Sequence, residues 1–400
     1  RAMWMGALML GLSGMSILWL LRESVAHWVF GNGAHTSEVG WLGLGLLLSL
    51  IAGSQTSTLQ GLRRVGDMAK VSILSALFSA VLGILAVFFL GEDGVIWFVL
   101  LAPGANFLVA SYYTGRIKNS QASYDLAAIR QQWLALLKLG IPLMTAGLIT
   151  LITQLAVRSI VLRELGLDAS GFFQAAWAIS FTYVGFVLNA MAMDYFPRLT
   201  KSITDHGEAR TLVNQQAEMA LLLIGPALMA MITLAPWVIH LLYAPEFGPA
   251  AEILRWQVLG DMLKVVSVPM VFIFLATGRG GVAIGVQVVW SAAYLLPVLF
   301  GIPKFGLVMA GAGFWMAYLV YFCVVALLAY KLIGFKLSRR NSLLTVLLLL
   351  AGGIIMSLAG VSTIVSYSFG SVVTLLVSFY SFYRLNHLID LTGWLRQRFQ

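Results

Sequence analysis

The chain has 400 residues, of which 60% are hydrophobic and 10% charged, and its mean hydropathy is +0.91. A soluble globular domain is excluded, because no water-soluble core accounts for so much apolar sequence. The net charge is +9, and the single cysteine, Cys323, excludes an intramolecular disulfide and a thiolate metal cluster.

Twelve apolar runs follow in chain order, each long enough to cross a hydrocarbon core about 30 Å thick as a helix. They cover residues 2–21, 39–59, 71–90, 95–113, 139–160, 171–193, 219–242, 253–277, 282–300, 307–330, 343–361 and 364–383. Residues 81–90 are apolar on every face, whereas the strands of a membrane barrel alternate apolar and polar side chains. The sequence therefore predicts an all-α polytopic membrane protein.

The spacing of these runs predicts five regions, with the spans grouped as four, six and two. Residues 1–115 form an N-terminal lobe, 116–138 a polar cytoplasmic linker, and 139–331 a six-helix lobe. Residues 341–384 hold two additional helices, and 385–400 form a basic cytoplasmic tail.

The distribution of positive charge predicts the orientation. If Arg1 is cytoplasmic, 19 of the 25 Lys and Arg residues lie on the cytoplasmic side. Retention of Lys and Arg on that side is the dominant orienting signal, so both ends of the chain should face the cytoplasm. The positive charge therefore requires no nucleic-acid partner.

A weak internal repeat relates the two lobes. Three pairs of landmarks, separated by 213, 216 and 212 residues, carry the comparison: 28–30 with 241–243, 59–63 with 275–279, and Gly94 with Gly306. A true repeat implies two further helices before Arg1 and a 14-span protein, which keeps Arg1 cytoplasmic. The alternative is that any two stretches of membrane helices look alike.

Several motifs support a family resemblance. Gly-Phe-Phe-Gln-Ala-Ala at 171–176, Tyr-Phe-Pro-Arg-Leu-Thr at 195–200 and Leu-Tyr-Ala-Pro-Glu-Phe at 242–247 resemble the signature of the multidrug/oligosaccharidyl-lipid/polysaccharide exporter superfamily. Residues 62–67 and 259–267 resemble its O-antigen translocase branch, the Wzx-type flippases. The resemblance implies two pseudo-repeated helical lobes around a central cavity that opens alternately to each side. It also implies an oligosaccharide repeat unit on undecaprenyl diphosphate as cargo, and no enzymatic step.

A polar stripe on the fifth run supplies candidate cavity residues. Thr150, Gln154 and Arg158 recur at intervals of four on an otherwise apolar helix. A cation there would lower the cost of moving a charged head group through the membrane. Alternatively, Arg158 extends to the nearby interface.

Gln257, Asp261 and Lys264 share one face of the run 253–277. Charges at such depth predict a role in transport, through contact with the anionic head group or through a proton on Asp261. The alternative is a neutralised ion pair that only joins two helices.

Other candidate residues are less specific. Gln174 could line a sugar path, and Arg63 or Arg64 could make first contact with the diphosphate. Arginine pairs also serve as topology determinants that attract anionic lipid. No Walker motif is present and the five histidines are scattered, so neither a nucleotide nor a metal cofactor is predicted.

Together with the family resemblance, these observations predict a flippase in the bacterial inner membrane. The resemblance implies an undecaprenyl-diphosphate-linked glycan as substrate, and the expected partners are membrane lipid and a glycan polymerase or glycosyltransferases as neighbours. A multidrug cation antiporter of the same superfamily is the alternative, although it should carry acids facing its cavity. A membrane-embedded glycosyltransferase is a third reading, but it predicts a large extramembrane loop with acids.

Overall fold

The computed structural model describes residues 2–30, 36–62, 64–117 and 126–389, and within these ranges it contains twelve α-helices and no strand. The helices are α1 (Ala2–Leu20), α2 (Arg22–Phe30), α3 (Thr36–Gly61), α4 (Val65–Leu90), α5 (Gly94–Gly115), α6 (Leu126–Ser202), α7 (His206–Leu242), α8 (Ala250–Ala276), α9 (Gly280–Phe305), α10 (Val308–Ile333), α11 (Arg339–Val361) and α12 (Thr363–Ile389). The chain divides into two compact units, residues 1–134 and residues 135–400.

Eleven of the described helices are long and apolar enough to cross a membrane. In lipid every backbone N–H and C=O needs a partner within the protein, and a helix supplies these bonds locally. All twelve predicted runs lie on these eleven spans, so the prediction of an all-helical polytopic membrane protein is confirmed.

One span carries two of the predicted runs. It covers 63 residues of α6, and a straight helix of that length would measure about 95 Å, three times the hydrocarbon thickness. The helix is broken at Gly166, where φ is 89° and ψ is −178°. This backbone conformation is essentially restricted to glycine, so Gly166 separates the two runs.

In the unit of residues 1–134, α3 packs against α1 and α5, and α4 packs against α5. Small residues allow close approach: a Cβ on Gly43 would lie 3.2 Å from the carbonyl oxygen of Met15. This is the packing expected of membrane helices, whose association relies on close van der Waals contact.

In the unit of residues 135–400, α8 lies at the centre. It packs against α7 and α10, while α9 packs on α10, and α11 and α12 pack on α7. Of the apolar 18-residue stretch of α8, 72% is buried inside the protein, a larger share than for any other described span. Polar side chains on α8 are therefore held inside the protein.

One backbone hydrogen bond at the end of α3 recurs at the end of α8, at a separation of 215 residues. Arg64 N–H bonds the carbonyl of Leu59 at 2.9 Å, and Arg279 N–H bonds that of Phe274 at 2.8 Å. At the far ends of α4 and α9, Gly91 and Gly306 have φ of 60° and 66°. By backbone conformation Gly306 corresponds to Gly91 and not to Gly94, with which the landmark comparison paired it. Gly94 is the first residue of α5, whereas Gly91 and Gly306 directly follow the ends of α4 and α9.

The division between the units falls after Leu134, inside the predicted linker 116–138. Residues 341–384 belong to the same unit as residues 139–331. Arg1, Arg63, linker residues 118–125 and tail residues 390–400 lie outside the described residues. The five-region organisation remains a prediction.

Candidate functional site

A buried ion pair lies within α8. Asp261 has no exposed surface, and Lys264 Nζ lies 3.5 Å from its Oδ1 atom while the lysine side chain is 13% exposed. Ser180 of α6 donates its hydroxyl to Asp261 Oδ2. The predicted proximity of Asp261 and Lys264 is confirmed, and the pair joins α8 to the second part of α6.

Aromatic rings enclose the ammonium group. Lys264 Nζ lies 5.4 Å from the ring centroid of Phe181 and 5.9 Å from that of Tyr318. A cation at such distances is attracted to the ring face, and the attraction strengthens when water is excluded. One carboxylate and two aromatic rings therefore contact the ammonium group of Lys264.

The same rings belong to a wider aromatic cluster in this unit. Trp177 stacks on Tyr294 at 6.5 Å and meets Phe314 edge-on at 5.6 Å. Trp290 packs between Tyr294 and Tyr318. The Trp177 side chain is buried within this cluster.

Several buried polar atoms near the ion pair have no hydrogen-bond partner among the described residues. They include Gln257 Oε1 and Nε2 and Trp290 Nε1. Buried polar groups normally have a partner, because leaving one unpaired costs about 1–3 kcal/mol. The interior of this unit therefore contains polar side chains besides the ion pair.

The predicted polar stripe on α6 is divided between two environments. Thr150 accepts a hydrogen bond from Gln287 of α9 at 2.9 Å, and Gln154 is half-buried. Arg158 is exposed. No hydrogen bond or ion pair within the described ranges joins Arg158 to the Asp261–Lys264 pair.

The other candidates lie apart from this pair. Gln174 is half-buried on α6. Arg64 is exposed at the start of α4, where its guanidinium lies 3.4 Å from Asp67 Oδ2. Asp67 thereby offsets part of the charge that Arg64 would offer to a diphosphate.

Among the described residues of the unit 1–134, no buried ion pair corresponds to that of Asp261 and Lys264. At the repeat separation of 215 residues, Leu46 and Ser49 of α3 correspond to Asp261 and Lys264. A cavity of about 640 Å³ in this unit is lined by apolar residues of α3, α4 and α5 such as Leu48, Phe78 and Trp97.

Sequence reasoning missed Ser180, Gln287 and Trp290. A serine or glutamine in an apolar run is common in membrane helices, and no local pattern marks these three residues. Among the described residues, no group of three His, Cys, Asp or Glu side chains could hold a metal ion.

A family model described as polysaccharide biosynthesis protein matches residues 1–252, more than half of the chain. The lipid III flippase of Escherichia coli strain K12 is 24% identical over 173 residues, and the lipid III flippase of Shigella flexneri matches equally well. The match covers 43% of this chain and 41% of the Escherichia coli relative, so it spans about two-fifths of that protein's length.

Solved structures share the fold over most of the chain. An outward-facing multidrug resistance MATE family transporter of the MOP superfamily aligns with a TM-score of 0.69 at 17% identity, over 86% of this chain and 77% of that one. The lipid II flippase MurJ in an inward closed conformation aligns with a TM-score of 0.63 at 13% identity, over 96% and 83%. A MOP superfamily transporter from Pyrococcus furiosus aligns with a TM-score of 0.68 at 17% identity, over 83% and 78%.

These likenesses concern the fold alone, whereas the family match rests on the sequence itself. The chain is a multi-pass membrane protein that belongs to the polysaccharide biosynthesis protein family and has the fold of MOP-superfamily transporters.

Proposed function

We propose that the protein is a flippase that moves an undecaprenyl-diphosphate-linked oligosaccharide repeat unit from the cytoplasmic to the outer leaflet of the bacterial inner membrane. It works by alternating access, breaks no bond and is not an enzyme. The family match and the similarity to a lipid III flippase support this proposal. In this scheme both ends of the chain face the cytoplasm.

The observation that carries the proposal is a charged and polar interior in a protein made of membrane helices. Moving sugars and phosphates through hydrocarbon without partners costs many kcal/mol. Arg158 is exposed and has no partner among the described residues, so its guanidinium is available to a phosphate. Gln154 and Gln174 supply amides that suit sugar hydroxyl groups.

We further propose that transport is coupled to a proton at Asp261. A proton on this carboxyl removes its negative charge, and the ammonium of Lys264 then has no anion within the pair. Lys264 can turn to the diphosphate of the substrate, and loss of the proton restores the ion pair. Each cycle therefore moves one proton on and off one carboxyl group.

Arg63 and Arg64 make first contact with the diphosphate at the cytoplasmic face in this scheme. Arg64 begins α4 beside Asp67, so an arriving diphosphate competes with that carboxylate. A glycan polymerase and glycosyltransferases are the proposed neighbours, since they would consume and supply the lipid-linked oligosaccharide.

The test is complementation of a host that lacks the gene, with surface glycan as the readout. Arg158→Ala should lose most surface glycan while its level in the membrane stays normal, because the side chain supports no described contact. Arg163→Ala is the matched control, an exposed arginine five residues further along α6. Normal glycan in the deletion host itself, with no second transporter present, would falsify the flippase proposal.

A multidrug cation antiporter is the second candidate, and one observation favours it. A cleft of about 510 Å³ between α8, α10 and α11 is lined by Glu252, Trp256 and Trp315, and the two indole rings are 5.9 Å apart. A carboxylate with aromatic faces suits an organic cation. Resistance to cationic drugs that disappears in Glu252→Gln, together with intact surface glycan, would favour the antiporter over the flippase.

A further inference from the structure

One carboxylate oxygen in the unit of residues 135–400 holds two arginines from different helices. Glu218 Oε1 on α7 lies 3.2 Å from Arg340 Nη1 and 2.9 Å from Arg384 Nε. Arg340 lies in the first turn of α11, and Arg384 lies in the last two turns of α12. This contact joins the two C-terminal helices to α7.

The carboxylate lies beneath the guanidinium groups. The Glu218 side chain is 14% exposed, whereas Arg384 is 27% and Arg340 50% exposed. A guanidinium carries five N–H donors, and each of these arginines uses one of them on Glu218. Neither arginine has another acceptor within the described ranges, so the remaining N–H donors of each guanidinium have no protein partner there.

The surrounding charge is strongly positive. Arg339 is exposed beside Arg340. Arg210 on α7 places its Nη1 atom near Gly334, just before α11. Lys336 is held in the same region, because its backbone carbonyl accepts a hydrogen bond from Asn214 of α7. We refer to these basic residues as the α7–α11–α12 basic cluster: Arg210, Lys336, Arg339, Arg340 and Arg384. Glu218 is the acid bound inside it.

The start of α11 is an unfavourable place for two arginines. A helix N-terminus carries partial positive charge and stabilises anions rather than cations. The first turn of α11 contains no acid, and its N-cap is Ser338. An anion bound to Arg340 and Arg384 would accept hydrogen bonds from the remaining guanidinium N–H groups. It would also interact favourably with the partial positive charge at the N-terminus of α11.

We propose that the α7–α11–α12 basic cluster binds the phosphate of an anionic phospholipid. The cluster lies at the ends of membrane spans, where lipid head groups are found. The last turns of α12 before Arg384 carry exposed apolar side chains, including Phe379 and Phe382, along which acyl chains can lie. The bound lipid bridges α11 and α12 to α7.

The test measures lipid binding to the full chain in a neutral detergent by native mass spectrometry, with phosphatidylglycerol, phosphatidylethanolamine and phosphatidylcholine as probes. Phosphatidylglycerol should bind in preference to the other two and raise the thermal unfolding midpoint. Arg340→Gln with Arg384→Gln should weaken that binding roughly 25-fold, at about fivefold for each basic residue near an anionic lipid. Arg198→Gln, which alters an exposed ion pair with Asp194, is the control and should change nothing.

Glu218→Gln separates lipid binding from a purely internal ion-pair network. It breaks both ion pairs but keeps both guanidiniums, so phosphatidylglycerol should bind at least as tightly as to the parent protein. Equal binding of the three lipids, loss of binding in Glu218→Gln, or full binding by the double arginine variant overturns the proposal. If the double variant does not fold, the three lipids and Glu218→Gln decide the question. Displacement of phosphatidylglycerol by equimolar undecaprenyl diphosphate would assign the cluster to the isoprenoid diphosphate instead.

Discussion

Lys264 and Asp261 neutralise one another inside the unit of residues 135–400, with Nζ 3.5 Å from Oδ1 and almost no exposed surface on either side chain. A buried pair of this kind contributes little net stability, because desolvation of the two charges offsets most of their attraction. Removing one partner is different, since the remaining charge stays buried and uncompensated.

The ion pair can therefore be tested by single and double substitution. Lys264→Met should lower the free energy of unfolding by about 3–5 kcal/mol, and Asp261→Asn combined with Lys264→Met should recover most of that loss. Unfolding in detergent measures both values. The recovered double variant should still fail to restore surface glycan, whereas normal glycan would give the pair a structural role only.

Gly166 provides a test of the break in α6. With φ at 89° and no atom within 4 Å of a built Cβ, Gly166→Ala should lower the free energy of unfolding by about 1–3 kcal/mol through backbone strain alone. Gly185→Ala is the control, because its Cβ also meets nothing within 4 Å but its backbone is helical. It should be neutral or stabilising by up to about 1 kcal/mol. Equal changes in the free energy of unfolding for Gly166→Ala and Gly185→Ala would contradict the positive φ at Gly166.

Gly311 provides a test of the close contact between α8 and α10. A Cβ at this position would lie 2.8 Å from the carbonyl oxygen of Ile253, and backbone cannot move aside as a side chain can. Gly311→Ala should cost about 1–3 kcal/mol, the usual penalty for overpacking. Gly285→Ala on α9, which meets nothing within 4 Å, should stay within about 0.5 kcal/mol of the parent. An unchanged free energy of unfolding in Gly311→Ala would mean that α8 and α10 pack less closely at this position.

Asp205 makes the stability of α7 depend on pH. Its Oδ1 accepts hydrogen bonds from the backbone of Gly207 at 2.8 Å and Glu208 at 3.1 Å. Hydrogen bonds from Glu208 and then Gly207 lower the pKa of Asp205, so its stabilisation is present above the unfolded pKa of about 4 and is lost as pH falls through the lower folded value. Asp205→Asn caps the helix without titrating. The thermal midpoints of parent and variant should converge below pH 4, and a constant difference down to pH 3 would contradict the linkage.

The elements of this protein were predictable because their signals are local. Bilayer thickness sets the length of each apolar run, and the helical repeat places Gln257, Asp261 and Lys264 on one face. The landmark comparison nevertheless paired Gly306 with Gly94, three residues beyond Gly91, the glycine that shares its positive φ. The two stretches have low sequence identity, so no residue in the sequence distinguishes Gly91 from Gly94 as the partner of Gly306.

The membrane class, the positions of the spans, the family resemblance and the ion pair on α8 follow from the sequence, since each depends on residues within a few turns of one another. The tertiary structure was needed to show that Ser180, 81 residues away, donates to Asp261. It also decided that Phe181 and Tyr318 enclose Lys264, and that Glu218 receives arginines from two later helices. Such contacts depend on how helices pack, and apolar side chains of similar size permit many packings that the pattern of hydrophobicity does not distinguish.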